Sequence, residues 1–195
     1  MEYEYDQNSA RQARGHLRSF LEMVRSKSGA EVVHLIAHSM GTDPLMEVLA
    51  GLQTARPEPQ QPLFNQVILA APDIDRDVFL ELAKQVHGVA EGITLYASSK
   101  DVALQASRRY ARGVPRAGDV PAEGPVVDIN VDTIDASELG TDFFSLKHSE
   151  YSDNPILLND IGLLMETGLR PPDRRLLALK ERTLATGRYW VYPPH

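Results

Sequence analysis

The sequence contains no cysteine, which excludes a disulfide-stapled scaffold, a zinc–thiolate site and a cysteine nucleophile. Its apolar runs are a handful of residues long, far from the ~20 needed to cross a bilayer. No charged start followed by an apolar stretch marks a secretory leader. Positive charge is in deficit: 20 Lys and Arg stand against 27 Asp and Glu, for a formal net charge of −7. That balance argues against a general nucleic-acid binder, because a phosphate backbone must be met by net Lys and Arg. No strand-like run leads into a glycine-rich phosphate loop, which makes nucleotide binding a distant third reading.

What is present is the composition of an ordinary globule, 43% hydrophobic and 24% charged over 195 residues. A chain of this length favours one domain, with two as the alternative, and can bury roughly 70% of its unfolded surface. The expectation is a single domain over 1–195, with 170–195 as a tail packed on it, in the cytoplasm.

Alternation of strand and helix patterns sets the fold class. Ala13, Leu17, Phe20, Leu21 and Val24 recur at helical spacing, and the helix they imply ends at Ser28-Gly29. Its other face, with Arg11, Arg14, Arg18 and Arg25, reads as solvated. Val32-Val33-His34-Leu35-Ile36-Ala37 is short, β-branched and apolar, the signature of a strand buried on both faces. A helix over 41–52, a proline-rich loop and a second buried strand, Val67-Ile68-Leu69-Ala70-Ala71, complete a βαβ unit. A helix over 78–86, a strand over 93–97 and a helix over 102–109 follow. Residues 126–134 alternate apolar and polar, which predicts a strand near a sheet edge. A helix over 155–165 and a tail mixing a basic helix with Tyr189-Trp190 close the chain. The sum predicts an α/β fold with an open, mainly parallel sheet flanked by helices.

One motif carries chemistry. Ala37-His38-Ser39-Met40-Gly41 falls where the first buried strand turns into a helix. Small residues two before and two after the serine match the nucleophile elbow, a tight turn that lifts Oγ above the sheet edge. Ala37 stands where the pattern usually has glycine. A serine hydroxyl needs a histidine to take its proton and a carboxylate to hold that histidine, and in this fold acid and then histidine follow the serine on loops after later strands. Asp101, just past the third strand, is the leading acid; it is equally placed to cap the helix at Val102, and Asp73 and Asp75 are the alternatives. Of the six histidines, His16 lies on a helix, His34 in a strand, His87 beyond a helix and His195 at the end of the chain, while the elbow turns His38 away from its neighbour. His148 occupies a loop after the last strand, where the base belongs. Phe143 and Phe144 before it are candidates for lining an acyl pocket, in competition with ordinary core packing.

These residues resemble the bacterial alpha/beta hydrolases of unknown function, a lipase- or esterase-like family. The likeness rests on Tyr5-Asp6, on Ile36-Ala37-His38-Ser39-Met40-Gly41, on Leu69-Ala70-Ala71-Pro72-Asp73-Ile74-Asp75, on Leu95-Tyr96-Ala97-Ser98-Ser99-Lys100-Asp101 and on His148-Ser149. It implies a Ser39, Asp101, His148 triad and neither a metal nor an organic cofactor. It also exposes a departure. Such hydrolases have strands before the elbow, one of which leads into the loop that supplies a second oxyanion donor; here 38 residues precede Ser39 and read as coil and one helix. The Met40 amide supplies one donor, and loss of a single donor costs on the order of 10²–10³ in turnover. The expectation is therefore an N-terminally incomplete hydrolase fold, the carboxyl-terminal part of it, acting on a small ester or acyl substrate. The rival is a non-catalytic hydrolase-like module that self-associates through the unpaired edge of its first strand.

Overall fold

The computed structural model describes residues 9, 12–56, 61–140, 155–171, 173 and 179–193. Helix α1 spans Arg14–Lys27 and points Leu21 into the core, with Leu17 packed beside it. It ends where the Ser28 N–H and hydroxyl both donate to the Val24 carbonyl, and Gly29 then turns the chain away at φ 71°. That left-handed conformation is one glycine adopts without steric cost. Arg14 pairs with Glu47 across to the next helix, so part of the basic face predicted to be solvated is used in docking.

Strands β1 (Leu35–His38), β2 (Phe64–Ala70), β3 (Ala90–Ala97) and β4 (Asp132–Asp135) run parallel in sequence order. Helices α2 (Thr42–Thr54) and α3 (Arg76–Gln85) connect the first three, and α4 (Val102–Tyr110) follows β3. Beyond a helix α5 (Pro155–Thr167), the hairpin β5 (Lys180–Leu184) and β6 (Gly187–Val191) joins the same sheet. The strand order is β1-β2-β3-β4-β6-β5, with β6 parallel to β4 and β5 antiparallel at the far edge.

Alternation along the strands divides the core in two. Val67, Leu69, Ile93 and Leu95 face a layer built from α1, α2 and α3. Ile68, Tyr96, Ile134 and Trp190 face α5 through Leu157, Ile161 and Leu164. Because both faces of β2 and β3 are covered, these strands read as continuous apolar runs. On the α5 side, Asp160 Oδ2 accepts hydrogen bonds from Tyr96 Oη at 2.6 Å and Tyr192 Oη at 2.8 Å. At the amino ends of the strands Arg170 donates to Gln66 Oε1 at 3.2 Å and to the Ile93 carbonyl at 3.1 Å, and pairs with Asp132. A β-carbon at Gly92 would overlap that guanidinium.

Two sequence expectations are corrected. The strand read over 126–134 contracts to Asp132–Asp135 and lies inside the sheet, with β3 on one side and β6 on the other. Residues 128–131 form a turn instead, in which Asp128 Oδ1 accepts from the Asn130 N–H at 2.8 Å, the side-chain turn that aspartate favours. In the described part of the tail, Lys180–Leu184 and Gly187–Val191 form a hairpin that extends the sheet, so Lys180 and Arg182 of the predicted basic helix lie in a strand; residues 172 and 174–178 lie outside the described residues. Among the described residues no helix is long and apolar enough to cross a membrane.

Candidate active site

The carboxyl end of β1 is where the chain stores strain. His38 is extended at φ −121°, ψ 139°, Ser39 flips to φ 52°, and the chain then winds directly into a 3₁₀ turn, Ser39–Gly41, and α2. Positive φ in a residue with a β-carbon costs of order 1–3 kcal/mol and persists only where its surroundings enforce it. Here they do. The Ser39 carbonyl accepts from the Thr42 N–H within its own turn and from the Asp73 N–H, 3.1 Å away in the loop after β2. Ala37 is buried and its small side chain suits the packed side of the turn. Gly41 has ordinary helical dihedrals at φ −66°, ψ −16° and open space around its missing β-carbon. Its contribution is an unobstructed surface beside the serine, since no clash there demands a glycine. The Met40 amide belongs to the opening turn of this helical run, where N–H groups lack intrahelical acceptors and point toward an incoming anion.

The loop after β2 is strained as well. Ala71 adopts φ 45° while its N–H donates to the Tyr96 carbonyl at 3.0 Å. Next to it, the buried Asp73 carboxylate accepts from Ser107 Oγ at 2.6 Å and pairs with the buried Arg116 guanidinium at 3.0 Å. Residues 115–118 run alongside 72–76, with the Gly118 N–H on the Pro72 carbonyl and the Ala117 N–H on the Ile74 carbonyl, both at 2.9 Å. Gly118 is required there, because a β-carbon would lie 2.7 Å from the Ala71 carbonyl carbon.

The three candidate acids separate by environment. Asp75 caps α3, its Oδ1 accepting from the Asp77 and Val78 N–H groups at 2.9 and 3.1 Å. Asp73 is committed to Arg116 and Ser107. Asp101 stands beyond the carboxyl end of β3, where Oδ1 accepts from the Leu104 N–H at 2.9 Å and caps α4. Asp101 thus fills the helix-capping role that its sequence position also offered. His148, Phe143 and Phe144 lie outside the described residues. Among the other histidines, His16 rides on α1 and His87 is exposed beyond α3, while Nδ1 of His34 is buried without a hydrogen-bond partner. Among the described residues, no three His, Asp or Glu side chains gather as a metal site.

Sequence reasoning missed the residues that hold these loops. Arg116 and Ser107 secure the loop that bonds the Ser39 carbonyl, and Ser137 joins the ends of β3 and β4. Nothing in their local sequence marked them, because each acts on a partner distant along the chain.

A mainly parallel sheet with helices on both faces, carrying a serine at positive φ on a strand-to-helix turn, defines the alpha/beta hydrolase class. The chain belongs to the family described as alpha/beta hydrolase of unknown function (DUF900), which matches residues 1–166. The hairpin of β5 and β6 lies past that match. No curated protein and no solved structure matches the chain.

Proposed function

We propose that the protein is a serine hydrolase of carboxylic esters or thioesters. Ser39 Oγ attacks the acyl carbon as His148 takes its proton, and the Met40 N–H donates to the oxyanion. His148 then returns the proton to the leaving alcohol or thiol, and water releases the acyl group by the same steps in reverse order. Asp101 keeps His148 in the productive tautomer, and Phe143 and Phe144 line the acyl pocket. The observation that carries this reading is the φ of 52° at Ser39, strain placed on the one serine in an elbow motif. Asp101, past the end of a parallel strand two along from β1, supports it. The test is a fluorophosphonate probe, which should label the protein at Ser39 and leave Ser39→Ala unlabelled; equal labelling of both would overturn the assignment.

A second reading is supported by one feature of β1. Among the described residues it pairs only with β2, and Val32 and Ile36 beside that open side are 57% and 56% exposed. In this reading the edge pairs with a second copy of the chain, with or without catalysis. Sedimentation velocity at rising concentration tests it, and a monomer throughout would remove it.

A further inference from the structure

The three residues that carry the chain from β3 to Asp101 are held one by one. The Ser98 N–H donates to the Gly118 carbonyl at 2.9 Å, the Lys100 N–H to Ser98 Oγ at 3.1 Å, and Gln105 Nε2 to the Ser99 carbonyl at 3.0 Å. One strand over, β4 ends at Asp135, and Ser137 donates to Asp135 Oδ1 twice, from its N–H at 2.9 Å and from its hydroxyl at 2.5 Å. The same Ser137 Oγ accepts from the Ser99 N–H at 2.9 Å and from the Ser99 hydroxyl at 3.0 Å.

A serine hydroxyl has one proton to give and two lone pairs to receive. All three are used here, and the proton goes to a carboxylate, the strongest acceptor of the set. Asp135 therefore fixes the direction of the Ser137 O–H bond, which aims both lone pairs at Ser99. The arrangement spans two loops that must cooperate in a triad: the one ending at Asp101, and the one that leaves the sheet after β4 toward 141–154, where His148 lies. Asp101 is already held from its carboxyl side by the Leu104 N–H.

We propose that Ser137 is a positioning residue for the Asp101 carboxylate, holding through Ser99 the stretch that delivers it to the histidine. The role rests on the triad reading above. Misplacing a catalytic group by about 1 Å costs on the order of 10²-fold in rate, so loss of one anchor of several should slow the reaction by about tenfold.

The test is the rate of fluorophosphonate labelling in the full chain, measured for Ser137→Ala in the parent and in an Asp101→Asn background. Labelling should fall about tenfold in the parent and show no further loss beside Asp101→Asn, because Ser137 acts only through that carboxylate. The acid limb of the pH–rate profile should also move to lower pH in Ser137→Ala, since a poorly placed carboxylate no longer favours the charged imidazole. Loss of general rigidity would instead lower the rate equally at every pH and in both backgrounds, and that result overturns the proposal. Ser99→Ala, at an exposed side chain, covers the case in which Ser137→Ala fails to fold. It removes one of the four bonds and should cost two- to threefold in the parent alone; no change, or the same loss beside Asp101→Asn, overturns the role. An unimpaired Ser137→Ala beside an impaired Asp101→Asn removes the Ser137 role and leaves the triad standing. Full labelling of Asp101→Asn overturns both.

Discussion

The two edges of the sheet are built on opposite rules. β5 ends the sheet with Lys180, Glu181, Arg182 and Thr183, all exposed, so any chain approaching its open side must strip water from charges. Charged residues are how natural sheets prevent edge-to-edge pairing. β1 has no such guard. Leu35, Ile36 and Ala37 are the apolar run of an interior strand. The Asn65 N–H meets the Val33 carbonyl on the β2 side, so by strand alternation Leu35 and Ala37 also face β2, and the main-chain groups of His34 and Ile36 point outward. The guarded edge lies past the family match, whereas the unguarded one lies within it and carries the elbow. The proposed nucleophile and the open apolar edge thus share one strand, and the opposite edge carries neither.

The largest contrast to break is therefore chemical. Ser39→Ala should reduce ester turnover by at least about 10³-fold without a change in fold, since the nucleophile cannot be replaced by its neighbours. Ser39→Gly should lose as much activity while gaining up to ~1 kcal/mol of stability, because glycine accepts φ 52° without strain. Arg182→Ala on β5 should alter neither. A Ser39→Gly variant no more stable than the parent in urea melts would mean that the turn is not strained.

Gly118→Ala comes next and probes what holds the β1 end in place. Its β-carbon would press on Ala71 and Pro72, beside the Asp73 N–H that bonds the Ser39 carbonyl. Overpacking of this kind costs about 1–3 kcal/mol, and fluorophosphonate labelling should slow in parallel. An unchanged labelling rate in a destabilised variant would separate the elbow from the loop after β2.

At the guarded end the matching change is Tyr192→Phe. It removes one of two phenol donors from the buried Asp160 carboxylate, and hydrogen bonds to charged groups are worth about 1.5–3 kcal/mol. Unfolding should shift by about 2 kcal/mol with labelling of Ser39 unaffected, because the hairpin anchors the sheet on the side away from the elbow. A loss of labelling comparable to that of Gly118→Ala would show that the two ends are coupled.

How legible each region was in sequence follows the same divide. β2 and β3 announced themselves because strands covered on both faces need unbroken apolar runs such as Val67-Ile68-Leu69. β1 has the same apolar signature, yet one face of it is open at Ile36, against the expectation of a strand buried on both faces. The elbow stood out because strand, small residue, serine and helix fall in one short string. β5 left no such trace. With most of its side chains exposed, Lys180-Glu181-Arg182-Thr183 has neither alternation nor an apolar run, and Lys, Glu and Arg are also good helix formers. The legible clue was the β-rich Tyr189-Trp190-Val191 just after Gly187, a strand in search of a partner. In 126–134 alternation was real but came from an Asx turn at Asp128 in place of a pleated strand. The Ser99–Ser137–Asp135 arrangement was out of reach because serine is compatible with almost any exposed position, and only the fold brings residues 99 and 137 together.

The smallest expected effect tests the comparison most directly. If the β1 edge pairs with a second copy of the chain, a charge in the middle of that edge must be desolvated on association, as Lys and Arg must be at β5. Ile36 is the position to use, because its side chain is 56% exposed and its replacement leaves the buried face of the strand intact. Ile36→Lys should weaken self-association by about tenfold or more, equivalent to ~1.4 kcal/mol, with little change in monomer stability since surface substitutions typically cost under about 0.5 kcal/mol. The reciprocal change, Glu181→Val with Arg182→Val, removes the guard from β5 and should create a second associating edge, visible in sedimentation as species larger than a dimer. Two arms moving in opposite directions identify edge chemistry as the cause. Ile36→Lys sedimenting like the parent, with the β5 double variant no larger, would mean that the unguarded look of β1 has no bearing on association.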